Sequence, residues 1–260
     1  MVAVSVTRRR RTRVETRLHL TMLPQPDDTT CGPTCLHAVY DYHGDPISLE
    51  QVVGEVPCLP GGGTLAVFLA CHALRRGYRA RIYTYNLQVF DPTWFAPGVD
   101  LRAKLQAQAA AKHDRKLRLA TEGYLEFLER GGELRMEDLT PALVRRYLLR
   151  GVPMLTGLSS TYLYRSPREF GAHCAEDDVR GVPAGHFVVL CGYDREGRKV
   201  LVADPLYPNP LADSHFYEAG IDRVLCAVLL GVLTYDAKLL VIEPARPSGR
   251  AAHADPDRRQ

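Results

Sequence analysis

The apolar runs His186 to Tyr193 and Lys199 to Ala203, joined by the polar Asp194-Arg195-Glu196-Gly197-Arg198, constrain the fold of this chain more tightly than any other feature. Two β-prone segments on either side of a charged, glycine-containing turn pair as a hairpin. If the turn centres near Glu196, Val188 lies opposite Asp204, and His186 becomes a diagonal neighbour of Asp204 on the same face. Side chains of that length are within reach across such a diagonal.

The chain before the hairpin reads as mainly helical. Cys35, Leu36, Val39 and Tyr42 recur at helical intervals in the run Cys31 to Tyr42, and His43-Gly44-Asp45-Pro46 stops it, which predicts a buried first helix. Ser48 stands as an N-cap with Gln51 three positions on, so a second short helix covers Leu49 to Val56. Gly61-Gly62-Gly63-Thr64 opens a third, in which Leu65, Phe68, Leu69 and Leu74 form an apolar stripe before Gly77 ends it. A strand over Arg79 to Tyr85 follows. Asp100 to Arg130 is rich in Ala, Leu, Lys and Arg and predicts two amphipathic helices, an insertion spanning 91–140. Thr140-Pro141 starts another helix, Val152 to Leu158 reads as a strand, and Ser159 to Gly185 as a long polar loop of the kind that is often functional. A helix around Glu218 to Leu230 and a strand from Lys238 to Glu243 complete the chain. Helices followed by strands make an α+β protein. The expected organisation is a basic arm over 1–20 that leads into a short strand, one domain over 21–243 and a disordered tail over 244–260.

Within this layout Cys31 occupies a chemically special position. It follows the turn-prone Pro26-Asp27-Asp28-Thr29-Thr30 and precedes Gly32-Pro33, at the amino end of the first helix. Unpaired N–H groups and the helix dipole favour a thiolate there. Cys35, one turn later, points into the core. A thiol nucleophile needs a base held in one tautomer by a carboxylate or amide, and the hairpin supplies His186 and Asp204. Gln25, at the start of the turn before Cys31, could join the Cys31 backbone N–H in holding an oxyanion, or be an exposed loop residue.

The blocks Gln25-Pro26-Asp27-Asp28-Thr29-Thr30-Cys31-Gly32-Pro33-Thr34-Cys35, Gly185-His186-Phe187-Val188-Val189-Leu190 and Val202-Ala203-Asp204-Pro205 resemble, in this order, the bacteriocin-processing cysteine peptidases. These cut leader peptides after a double glycine and have wider papain-like relatives. The resemblance implies a papain-like fold, with the helical part packed on an antiparallel sheet. It also implies roles for Gln25 as oxyanion donor, Cys31 as nucleophile, His186 as base and Asp204 as its orienting group. The expected activity is hydrolysis of a peptide or amide bond through a thioester, with no cofactor and no metal. Two alternatives use the same residues differently: a peptidyl or acyl transferase in which an amine accepts the acyl group, and a non-catalytic peptide-binding module.

Other function classes find less support. Net charge is +3, and the Arg8 to Arg13 cluster is not interleaved with aromatics, so no nucleic-acid partner is expected. No apolar stretch approaches the roughly 18 residues of a membrane span, and no export signal opens the chain, which predicts a cytoplasmic protein without a membrane partner. Seven scattered cysteines suit reduced thiols better than a disulfide framework. Cys58, Cys71, Cys191 and Cys226 read as small buried apolar residues, and His173 with Asp177 and Asp178 as part of a solvated loop. Cys31, Cys35 and His37 lack the spacing of a zinc site.

Overall fold

A computed structural model describes residues 16–171 and 173–245. The readings of 1–15 as a basic arm and of 246–260 as a tail fall outside the described residues. In chain order the elements are β1 (Thr16–Arg17), α1 (Cys31–His43), α2 (Leu49–Glu55), α3 (Ala66–Arg75), β2 (Tyr78–Thr84), α4 (Leu101–Ala111), α5 (Arg115–Glu129), β3 (Glu133–Arg135), α6 (Pro141–Leu148) and β4 (Met154–Ser159). There follow α7 (Ser160–Tyr164), β5 (Glu169–Phe170), β6 (Ala175–Glu176), β7 (Gly185–Asp194), β8 (Lys199–Ala203), β9 (Phe216–Gly220), α8 (Ile221–Leu230) and β10 (Lys238–Pro244). Single 3₁₀ turns cover Pro92–Phe95 and Gly231–Thr234.

The main sheet runs β3-β2-β10-β4-β7-β8-β9, with β1 added to β7. Its pairings are antiparallel except for β2 with β3, which are parallel. The fold is thus the expected α+β arrangement of helices on a largely antiparallel sheet. Both faces of the sheet are covered. Leu155, Phe187, Val189, Leu240 and Ile242 pack with α1, α3 and α5 on one side, whereas Met154, Val188, Leu190, Leu239 and Val241 pack with α6 and α8 on the other. This is why the central strands are apolar at successive positions instead of alternating.

Local chemistry explains the helix limits. Gly44 ends α1 with φ 77°, a left-handed conformation that glycine adopts without a Cβ penalty. The Ser48 hydroxyl accepts the Gln51 N–H at the start of α2, as its spacing predicts. Asp100 and Asp114 cap α4 and α5 in the same way. The two helices are the amphipathic pair expected over 100–130. Leu105, Leu117, Ala120, Tyr124 and Phe127 belong to the core that α1 and α3 share, because the apolar face of α5 is covered only by the rest of the domain.

Two expectations are corrected. Residues Glu218 to Gly220 belong to β9, and the helix begins at Ile221, since pairing with β8 holds them extended. The stretch 159–185 carries α7 and the small β5–β6 hairpin. The short strand expected at the end of the arm is β1, in which Thr16 and Arg17 pair with Tyr193 and Gly192, and Leu20 after it is in the core.

Candidate active site

The hairpin forms with a feature that periodicity does not reveal. Next to the turn the register pairs Asp194 with Lys199 and Gly192 with Leu201, whereas beyond Cys191 it pairs Leu190 with Val202 and Val189 with Ala203. Cys191 is the extra residue of a β-bulge. Continued without it, the turn register would set Asp204 opposite Val189, on the other face from His186. The bulge shifts the register by one residue and returns Asp204 to the His186 face. His186 Nε2–H donates to Asp204 Oδ1 at 2.8 Å.

Asp204 is wholly buried, and its carboxylate is fully engaged. Besides His186, Oδ1 accepts the Leu206 N–H at 3.0 Å, while Oδ2 accepts the hydroxyls of Tyr164 at 2.6 Å and Tyr217 at 2.7 Å. Burial alone would push this carboxyl up; the His186 charge and the donors named here reverse that and hold it below the usual carboxylate range. The Asp204 main chain is fixed as well, its N–H donating to His215 O and its carbonyl accepting from His215 Nδ1. Tyr164, Tyr217 and His215 escape sequence reasoning, since nothing in their local context marks them.

On the other side of the imidazole lies Cys31. It acts on the His186 imidazole and raises it, in the same direction as Asp204. Because Nε2 is committed to Asp204, Nδ1 is the ring nitrogen left for sulfur. Desolvation would push His186 down, but Asp204 and then Cys31 more than offset it, and the imidazole is held up at about 10. Cys31 is the first residue of α1, whose leading N–H groups have no intrahelical carbonyl to meet. Gly32 lets Thr64 and Phe187 close over this point; a Cβ there would stand 2.6 Å from Thr64 Cγ2. Cys35 is fully buried as expected, with its thiol donating to Phe187 O at 3.2 Å, and burial pushes that thiol well up.

Gln25 also comes to this region. Its backbone N–H donates to Pro205 O at 2.9 Å, which ties the segment before Cys31 to the residue after Asp204. The side-chain amide donates one N–H to Asp27 O at 2.8 Å and has a second to offer. Two cavities flank the Cys31–His186 pair. One of about 590 Å³ is lined by Cys31, the Gly61–Gly63 turn, Lys116 and Asp236. The other, about 340 Å³, is lined by Gln25, Tyr164, His186 and Leu206. Asp28, His173, Cys174 and Gly185 border both, so His173 belongs to the cleft wall and not to an outlying loop. All seven cysteines are free thiols; Cys71 and Cys191 are buried as expected, but Cys58 and Cys226 are exposed. Among the described residues no cluster suited to a metal ion occurs, and no helix is long and apolar enough to cross a membrane.

A cysteine opening a buried helix, facing a histidine at the start of a sheet strand with a carboxylate behind it, is the arrangement of the papain-like cysteine peptidases. Residues 124–219 match the family model described as Peptidase_C39 like family, in agreement with the resemblance carried by the three sequence blocks. The matched segment contains His186 and Asp204; Cys31 and Gln25 lie before it. Among solved structures the chain is similar to a double glycine motif protease from an AMS/PCAT transporter, crystallised with the leader peptide, at 14% identity over 88% of this chain and 95% of that one, with a TM-score of 0.42. It is also similar to the peptidase domain of Streptococcus ComA, a bi-functional ABC transporter involved in a quorum sensing pathway (14% identity, 87% and 98% covered, TM-score 0.40). A third is a C39-like peptidase from Bacillus anthracis (15% identity, 89% and 98% covered, TM-score 0.45). No curated protein matches the sequence.

Proposed function

We propose that the protein is a cysteine peptidase or amidase in which Cys31, His186 and Asp204 form the catalytic triad. The observation that carries this reading is the 2.8 Å bond from the His186 imidazole to a buried, fully satisfied Asp204 carboxylate, with Cys31 at the head of α1 raising the same imidazole.

In the proposed cycle the Cys31 proton already resides on His186 in a thiolate–imidazolium pair, and the thiolate attacks the carbonyl carbon of a peptide or amide. The oxyanion is held by the Cys31 N–H and the free N–H of the Gln25 amide. His186 returns the proton to the departing amine as the C–N bond breaks, leaving a thioester. Water then attacks with His186 as base, and the acid is released with the thiol restored. Asp204 fixes the ring and stabilises the imidazolium at both steps. The leader-peptide complex of the transporter protease supports a peptide as the substrate class here. We place the enzyme in the cytoplasm, in keeping with its free thiols.

The pH dependence of Cys31 alkylation by iodoacetamide, in the wild type and in His186→Ala, tests the reading. At pH 6 Cys31 should label far faster than exposed Cys58, and that advantage should vanish in the variant. Equal labelling of Cys31 and Cys58 in the wild type would refute an assembled thiol–imidazole pair.

A further inference from the structure

One carboxylate in the cleft plays no part in this cycle. Asp236 lies between the 3₁₀ turn and β10, lines the larger cavity together with Cys31, and is only 5% exposed. Its carboxylate fills a recess left by two glycines on neighbouring strands. A Cβ on Gly157 of β4 would lie 2.6 Å from Oδ1, and one on Gly185 of β7 would lie 3.0 Å from Oδ2. Oδ2 accepts the Thr234 hydroxyl at 3.1 Å, but Oδ1 is buried with no hydrogen-bond partner. A buried acceptor left unpaired costs the full desolvation of the group, so such atoms call for an explanation.

The nearby cations do not supply the missing partner. Lys116 of α5 donates to Thr234 O at 3.2 Å and lies over the Tyr235 ring; Lys238 donates to Tyr235 O. Both ammonium groups are thus engaged with main-chain carbonyls, and among the described residues neither forms an ion pair with Asp236. Burial pushes the Asp236 carboxyl up to about 6, against Lys238, Lys116 and His186, so it is largely ionised at neutral pH. Asp27 and Asp28 stand on the same cavity, whose lining therefore holds three carboxylates and one ammonium.

Resting on the peptidase reading above, we propose that Asp236 is the specificity-determining residue of a subsite beside Cys31, and that it receives the cationic side chain of a Lys or Arg near the scissile bond of the substrate. A bound ammonium or guanidinium would donate to the carboxylate from the cavity side beside Gly185, where Oδ2 accepts, among the described residues, only the Thr234 hydroxyl and has an acceptor position left.

The test uses dipeptidyl acyloxymethyl ketones that alkylate the active-site thiol. They carry Lys, Gln or Glu at either of the two residues before the ketone, with Gly at the other. The rate of Cys31 modification, read by mass spectrometry, is divided by the iodoacetamide rate of the same protein. At one of the two positions the Lys probe should exceed the Gln probe by roughly tenfold or more, the range of a charge-assisted hydrogen bond, and the Glu probe should be slowest. In Asp236→Asn the Lys-to-Gln ratio should fall to near one. In the wild type the same ratio should fall between pH 7.5 and pH 5 as Asp236 protonates; this arm needs no variant, and the ionisation of Cys31 and His186 cancels within the ratio. A ratio near one at both positions in the wild type, or a Lys preference that persists both in Asp236→Asn and at pH 5, overturns the subsite while leaving the peptidase reading in place. Modification of Cys31 by every reagent no faster than that of Cys58 overturns the peptidase reading, and the subsite with it.

Discussion

Replacing Asp204 by Asn removes the charge behind His186 while keeping the size of the side chain, and its consequence can be worked out with its sign. His186 is held at about 10 against an ordinary 6.5, and burial by itself acts in the opposite direction. At about 1.4 kcal/mol per pH unit the gap corresponds to about 5 kcal/mol favouring the imidazolium in the folded state. A histidine raised in this way contributes stability that is fully present below about 6.5 and is lost as pH rises towards about 10. Asp204, held low, contributes above its ordinary carboxylate pKa and loses that contribution in acid. The pair therefore stabilises most from about pH 4 to pH 6.5, and the difference in unfolding free energy between wild type and Asp204→Asn should shrink by about 1.4 kcal/mol per pH unit above that window. Urea denaturation at pH 5.5, 7.5 and 9 measures the difference, and NMR titration of the His186 ring measures its cause. The wild-type ring should remain protonated at pH 8, whereas in the variant burial should leave it neutral at pH 7. A wild-type ring that titrates below pH 7, or a stability difference that does not change with pH, would refute the reasoning.

Two further substitutions probe the surroundings of the pair. Tyr164→Phe and Tyr217→Phe each remove a short hydrogen bond to the buried Asp204 Oδ2 and should each cost about 1.5–3 kcal/mol in urea denaturation. The double variant should depart from the sum, because both hydroxyls serve one oxygen; losses below about 0.5 kcal/mol for each would mean that the hydroxyls do not hold the carboxylate. Gly157→Ala would drive a methyl group into Asp236 and should destabilise by roughly 1–3 kcal/mol, the usual range for overpacking. Unchanged stability of that variant would show that the carboxylate is free to leave its recess.

Local chemistry left legible marks for much of this fold. The cap at Ser48, the glycine stop at Gly44, the apolar stripe of α3 and the hairpin after Gly185 all depend on neighbours within a turn or a strand, and a sequence records such neighbours directly. The position of Cys31 at a helix start was legible for the same reason, whereas the pairing expected from a turn centred on Glu196 is reached only because the bulge at Cys191 shifts the register by one residue. The two-sided cover of the sheet was less legible, because it depends on which apolar faces meet, as does the packing of α4 and α5 into the core shared with α1 and α3.

The sequence by itself determined the α+β class, the limits of α1 and α2 and the three residue types of the candidate triad, since each follows from spacing along a single helix or hairpin. Tertiary structure alone decided the bulge at Cys191 that turns Asp204 towards His186. It also decided the Tyr164 and Tyr217 hydroxyls on that carboxylate, and the recess between Gly157 and Gly185 that holds Asp236 beside Cys31. The hydroxyls and the recess need atoms from separate strands and turns to converge within a few ångströms, and a one-residue shift inside a hairpin leaves no mark in its periodicity.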